Sequence, residues 1–174
     1  AVPDFGDYFT RWRARSQDVR TTRRCFLDRA YGEGEMEKLD IFPARGESKA
    51  LLVFIHGGYW RSLDKADFSF VAAPFVEAGV TVALVNYELA PGASLFRITQ
   101  QNCAAIAWLY HHAAEYGASP DRIFVCGHSA GGHLTAMMMA ALWPKLDPAL
   151  PIHLVKGGLA ISGLYDLEPL RHAP

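Results

Sequence analysis

Cysteine is scarce in this chain of 174 residues: Cys25, Cys103 and Cys126 form an odd, widely spaced set with no Cys-x-x-Cys pair. Neither a disulfide framework nor a zinc knuckle is expected, and a reducing, cytoplasmic setting fits best. Long apolar runs are missing as well. The longest uncharged one, Ala136 to Trp143, is far short of the ~20 residues that a bilayer span requires. The start, Ala1-Val2-Pro3-Asp4, has no basic stretch leading into an apolar one, so no membrane association is expected. It also begins without Met, which fits the removal of a leader or of a few residues. Charge of either sign is not in excess, because 17 Lys and Arg face 18 Asp and Glu for a formal net charge of -1. Binding to nucleic acid or anionic lipid rests on a positive field, so neither is an expected partner. Repeats, low-complexity segments, metal-ligand clusters and a dinucleotide-type glycine turn are all absent, and no metal or cofactor is expected.

What remains is an apolar, globular composition, 51% hydrophobic with 20% charged residues. At this length a chain buries roughly two-thirds of the surface its unfolded form exposes, enough for a core without staples. Residues 1–174 are read as a single domain. Phe5, Tyr8, Phe9 and Trp12 recur at helical spacing. Such a stripe is read as core, with the wall or lid of a substrate pocket as the other reading. Seven arginines lie between Arg11 and Arg29, opposed there by Asp18 and Asp28. They read as a solvated basic face, and an anion site is the second reading.

Cys25–Ala30 and Met36–Phe42 flank a glycine turn and predict a hairpin. Leu51–Ile55, Val80–Val85, Asp121–Cys126 and Leu154–Ile161 read as strands, the first as a continuous apolar run buried on both faces and the next two as buried strands as well. Between them, helices are expected over about Asp64–Ala78, from Leu95 to near Gly117, and over Leu134–Trp143, the last closed by Pro144. This alternation predicts an α/β fold: a doubly wound, mostly parallel sheet with helices on both faces.

The chemistry concentrates in two turns. Gly127-His128-Ser129-Ala130-Gly131 sits between a predicted strand and a predicted helix. A sharp turn there needs small neighbours and lifts a hydroxyl above the carboxyl end of the sheet, making Ser129 the candidate catalytic nucleophile. His56-Gly57-Gly58-Tyr59 closes an earlier strand, where backbone N–H groups can meet the negative oxygen of a tetrahedral intermediate. Gly58 and Tyr59 are the expected oxyanion donors from this loop, with Ala130 as the third. His56 is expected to order its own loop, His128 to pack, and His111 and His112 to point to different sides of a helix.

Together with Val85-Asn86-Tyr87-Glu88-Leu89-Ala90-Pro91 and Ser162-Gly163-Leu164-Tyr165-Asp166, these motifs resemble the α/β-hydrolases of the hormone-sensitive-lipase-like esterase group. The likeness is greatest to its kynurenine formamidase (arylformamidase) branch. The resemblance spans nearly the whole chain. It implies Ser129 as nucleophile, the His56 loop as oxyanion loop, Tyr59 and Trp60 beside an acyl or aryl pocket, and no cofactor. The expected partner is a small-molecule ester or amide substrate, and a homo-oligomer is left open.

The triad of this fold runs Ser, then Asp or Glu, then His, and here the pattern stops after about the sixth strand. His133 reads as a satisfied helix residue, His153 lies at the wrong end of the sheet, and His172 trails beyond it. Asp166 is an alternative acid, with a loop role as the other reading. The base and acid are therefore expected in sequence beyond residue 174, and the 174 residues alone are expected to be nearly inactive. The alternative is a non-catalytic binding domain on a hydrolase scaffold.

Overall fold

The computed structural model describes residues 4–172, with side chains as far as Leu170. Six strands form one sheet: β1 (Phe26–Ala30), β2 (Lys38–Phe42), β3 (Leu51–Ile55), β4 (Thr81–Val85), β5 (Ile123–His128) and β6 (Val155–Ile161), in the order β1-β2-β4-β3-β5-β6. Strand β2 runs against both its neighbours, whereas β4, β3, β5 and β6 pair in parallel. The expected hairpin is β1–β2, and the expected parallel core is the other four strands.

Alternation along each strand sorts side chains between two cores. Leu39, Ile41, Val53, Ile55, Ala83 and Val85 face one layer. Their neighbours Phe42, Phe54, Val82 and Leu84 face the other. The first layer is covered by α3 (Leu95–His112) and α4 (Ala130–Ala140), through Ile98, Ile106, Leu109 and Leu134. The second is covered by α1 (Phe5–Thr22), a 3-10 segment at Lys65–Val71 and α2 (Ala72–Glu77), through Val19, Phe68, Ala72 and Val76. Ser94 caps α3 by accepting from the Arg97 N–H at 3.2 Å, and Asp64 caps the 3-10 segment in a reciprocal box with Asp67. Each cap satisfies first-turn donors that would otherwise be orphaned.

Three local expectations change. The helix expected over 64–78 is split into 3-10 and α-helical parts, because Pro74 lacks an N–H and is tolerated only in a first turn, where α2 puts it. Helix α3, expected to run on to near Gly117, tightens into a 3-10 turn over Ala113–Tyr116 before the left-handed Gly117. Pro144 opens the short helix α5 (Trp143–Leu146) rather than closing α4. At its other end α4 begins at Ala130, not Leu134, so Gly131 and Gly132 lie inside a helix. A Cβ at Gly131 would meet the Ile55 carbonyl oxygen, so this glycine lets the helix approach β3.

A buried ion-pair network ties α1 and the 3-10 segment to the hairpin. Lys65 Nζ lies 2.9 Å from Asp40 and 2.7 Å from Asp28, and Arg20 reaches Asp40 at 3.3 Å. The Lys65 hydrogen bond holds the Asp28 carboxyl below its usual pKa, against the opposing effect of burial. Among the described residues, no helix is long and apolar enough to cross a membrane.

Candidate active site

Ser129 occupies the turn between β5 and α4 with φ 57° and ψ -119°. A non-glycine residue in this region is strained, and such strain persists only where the surroundings impose it. Here the Ser129 N–H donates to the Ile161 carbonyl of β6 at 2.8 Å, and its carbonyl accepts from the His133 N–H at 3.1 Å. Gly127 is required on one side because a Cβ there would meet the Gly131 backbone.

The second turn lies beside it. Gly58, Tyr59 and Trp60 all have positive φ, at 110°, 58° and 57°. The Gly58 carbonyl accepts from the Arg61 and Ser62 N–H groups, each at 3.0 Å, closing the loop into a compact turn. A Cβ at Gly57 would stand 2.7 Å from the His128 carbonyl oxygen and 3.3 Å from Ser129 Cβ. Glycine at 57 is what allows the two turns to touch.

Gly58, Tyr59, His128 and Ser129 line one cleft of about 310 Å³. Among the described residues the Gly58 and Tyr59 N–H groups have no hydrogen-bond acceptor. Ala130 opens α4, so its N–H belongs to the first turn, whose donors have no intrahelical partner. Gly58 and Tyr59 thus bring backbone donors without acceptors to the cleft that Ser129 lines, whereas Ala130 is fully buried and does not line it.

His56 orders its loop as expected. It is fully buried, with Nδ1 2.7 Å from the Gly57 carbonyl and Nε2 3.2 Å from Asn86 Oδ1. Its ring stacks on Tyr87 at 4.4 Å, and the Tyr87 hydroxyl donates to the His56 carbonyl at 2.7 Å. Burial pushes the imidazole pKa down, against the Gly57 and Asn86 hydrogen bonds and the nearby Asp64 and Asp67. Asn86 is itself pinned by Asp64, to which its amide donates at 2.7 Å.

Other residues sit elsewhere than their motifs suggest. Tyr59 is half exposed in the cleft, but Trp60 does not line it. The Trp60 side chain is only 3% exposed and packs edge to face on His133 at 5.3 Å between ring centres. It anchors the loop from beneath. His133 is not satisfied among the described residues, where its Nδ1, like Trp60 Nε1, is buried without a hydrogen-bond partner. Burial lowers the His133 pKa. His128 is exposed and borders the cleft rather than packing. His153 is exposed ahead of β6. Asp166 is exposed too, accepting from the Glu168 N–H at 3.2 Å. His111 pairs with Asp147 at 3.1 Å whereas His112 stacks on Trp108, on different sides of α3 as expected. The His172 side chain lies outside the described residues. Among those described, Ser129 Oγ has no imidazole partner.

Sequence reasoning did not single out Leu63 and Phe68, which also line the cleft, and it gave Phe9 and Trp12 a pocket role only as the second reading. For Phe9 and Trp12 the signal was the aromatic stripe of α1.

Comparison with known proteins follows the same outline. The profile described as BD-FAE matches residues 39–150. Kynurenine formamidase of Danio rerio is 33% identical over 158 residues, covering 89% of this chain and 51% of that protein. Carboxylic ester hydrolase LipN of Mycobacterium tuberculosis is 36% identical over 108 residues, covering 60% of this chain and 28% of that protein. A solved structure from Silicibacter sp. TM1040, provisionally described as a thioesterase, superimposes with a TM-score of 0.84 at 37% identity, covering 98% of this chain and 62% of that one. The chain spans about half the length of the kynurenine formamidase it matches. By profile, relatives and fold, it belongs to the BD-FAE family of hormone-sensitive-lipase-like α/β-hydrolases, near the arylformamidase branch.

Proposed function

We propose that this chain carries the nucleophile half of a serine hydrolase acting on small carboxylic esters or activated amides, of carboxylesterase or arylformamidase type. The observation that carries the reading is the cleft in which a strained Ser129 lies beside two N–H groups without acceptors. The names of the relatives support an ester or amide as substrate.

In this reading Ser129 Oγ attacks the substrate carbonyl while a general base takes its proton. The oxygen that becomes negative is held by the N–H groups of Gly58, Tyr59 and Ala130. Collapse of the tetrahedral intermediate expels the alcohol or amine, which receives the proton, and water then releases the acyl group from Ser129. Among the described residues no imidazole reaches Ser129 Oγ, so this reading does not draw the base from the described histidines. The proposed partner is a small molecule, with no cofactor.

The test is an intact-mass measurement on the full-length protein before and after a fluorophosphonate, with Ser129→Ala beside it. A single adduct mapping to Ser129, with ester turnover reduced at least ~10³-fold in the variant, is the expected result. Full activity in Ser129→Ala would overturn the reading, and tight ligand binding without an adduct would leave a binding scaffold. Turnover of a formyl-anilide against a butyrate ester separates formamidase from general esterase.

A further inference from the structure

Among the described residues four buried side-chain atoms have no hydrogen-bond partner: Trp60 Nε1, Ser69 Oγ, Asn102 Oδ1 and His133 Nδ1. Two of them belong to side chains in contact. The Trp60 and His133 rings meet edge to face, with 5.3 Å between centres and 84° between planes, and the residues are only 3% and 8% exposed. An unpaired polar atom at such depth forfeits its hydrogen bond to water and gains nothing in return.

The two atoms are chemically complementary. The indole N–H can only donate. Burial holds the His133 imidazole toward its neutral form, in which one ring nitrogen carries the proton and the other accepts. With the proton on Nε2, which is not among the orphaned atoms, Nδ1 presents a lone pair. The two nitrogens do not bond each other, so both are satisfied by one small group that accepts from the indole and donates to the imidazole. Water does this. Its two hydrogen bonds of about 2.9 Å at a tetrahedral angle span about 4.7 Å, on the scale of the separation between the rings. Joining polar groups that lack protein partners is the usual role of a buried water.

The place of the pair gives it consequence. His133 lies near the start of α4, and its N–H donates to the Ser129 carbonyl at 3.1 Å. Trp60 follows Tyr59 in the other turn, and its carbonyl accepts the Ala90 N–H at 2.7 Å. Each residue therefore stands directly behind one of the two turns, and their rings are where the turns meet beneath the cleft.

We propose that Trp60 Nε1 and His133 Nδ1 hold one buried water between them, and that this water keeps the nucleophile turn and the Gly58–Tyr59 turn in register. The site stands on the geometry of the pair, and its effect on turnover rests on the hydrolase reading.

The experiment uses the full-length protein. Its crystal structure is expected to show one water about 2.7–3.2 Å from both nitrogens. A protein oxygen in that place, or no water there, overturns the proposal, and this result decides the matter should a variant not fold. His133→Asn keeps an acceptor near the position of Nδ1, His133→Leu removes it, and Trp60→Phe removes the donor. The urea midpoint of His133→Asn is expected to lie above that of His133→Leu, and the difference to vanish in the Trp60→Phe background. Packing alone would favour Leu in both backgrounds, and that order overturns the proposal. These midpoints read the site even where no hydrolysis is found. In turnover, kcat of His133→Leu falls about threefold to tenfold with KM within about twofold of wild type, and His133→Asn recovers most of the loss. An unchanged kcat in His133→Leu, in a protein that Ser129→Ala inactivates, overturns the link between the water and the two turns.

Discussion

Strands β4 and β6 belong to one sheet and both contain apolar runs, yet they occupy opposite environments. All five residues of β4 are buried, whereas of the seven in β6 only Val155 is. Leu159 is 60% exposed and Ile161 is 43% exposed. The difference lies in neighbours: among the described residues β4 is paired on both sides and covered on both faces, and β6 pairs with β5 alone. An apolar run therefore signals a strand, but not its depth. Both proposed functional turns grow from β3 and β5, within the consolidated part. Preorganised donors are useful only if the frame holding them does not yield, and the strands behind Gly58 and Ser129 are mostly buried.

The largest expected effect sharpens this contrast with one kind of substitution at two places. Gly131→Ala forces a Cβ into the Ile55 backbone, and a loss of more than ~4 kcal/mol or failure to fold is expected. Gly157→Ala on β6 meets only the Phe124 ring, at 3.3 Å, and is expected to change stability by less than ~1 kcal/mol. Urea denaturation of both checks the pair, and equal losses would break the comparison.

Asp40→Ala comes next. It leaves buried Lys65 with Asp28 alone and strips Arg20 of its partner, so a loss of about 3 kcal/mol is expected from the uncompensated charge. The loss should be smaller in the double variant with Lys65→Met. Leu84→Ala in β4 is expected to cost about 3 kcal/mol, since the side chain is wholly buried, and Leu159→Ala in β6 less than ~0.5 kcal/mol. Thermal melts of the two leucine variants read the strand comparison directly.

The smallest effect is a pH dependence. The Gly34 N–H holds the Glu37 carboxyl below its usual pKa, against burial, with Gln101 and Arg97 adding to it. Because the folded value is the lower one, this group stabilises the fold above its unfolded pKa of roughly 4.3. That contribution is lost as pH falls through the folded value. Glu37→Gln should flatten the acid limb of stability below about pH 5 while leaving its shape near pH 7 unchanged. An acid limb as steep as wild type would count against the assignment.

Much of the fold was legible in the residues. The continuous apolar run Leu51–Ile55 and the hairpin around Gly32 and Gly34 follow local rules, and β3 matches its expected bounds. Helix boundaries followed less closely where proline or glycine had two uses. Pro144 can stop one helix or start the next, and Gly131 can bend a loop or admit a neighbouring strand. Local sequence does not separate these. At the site, Ser129, Gly58 and Tyr59 converge on one cleft as their motifs suggest. Trp60 does not join them, because its positive φ and its contact with His133 carry the indole inward.

The sequence by itself determined the order of strands and helices, the two special turns and the family to which they belong. All of these depend on residues close together in the chain, through backbone conformation, hydrophobic period and the need for glycine at tight turns. Only the tertiary structure decided that β6 pairs with β5 alone among the described residues, that the Trp60 ring packs edge to face on His133, and that α1 brings its aromatic stripe to the cleft of Ser129. Those outcomes depend on contacts such as Trp12 with Phe68 and Trp60 with His133, between residues more than fifty positions apart, and no local pattern encodes which distant surface a side chain meets.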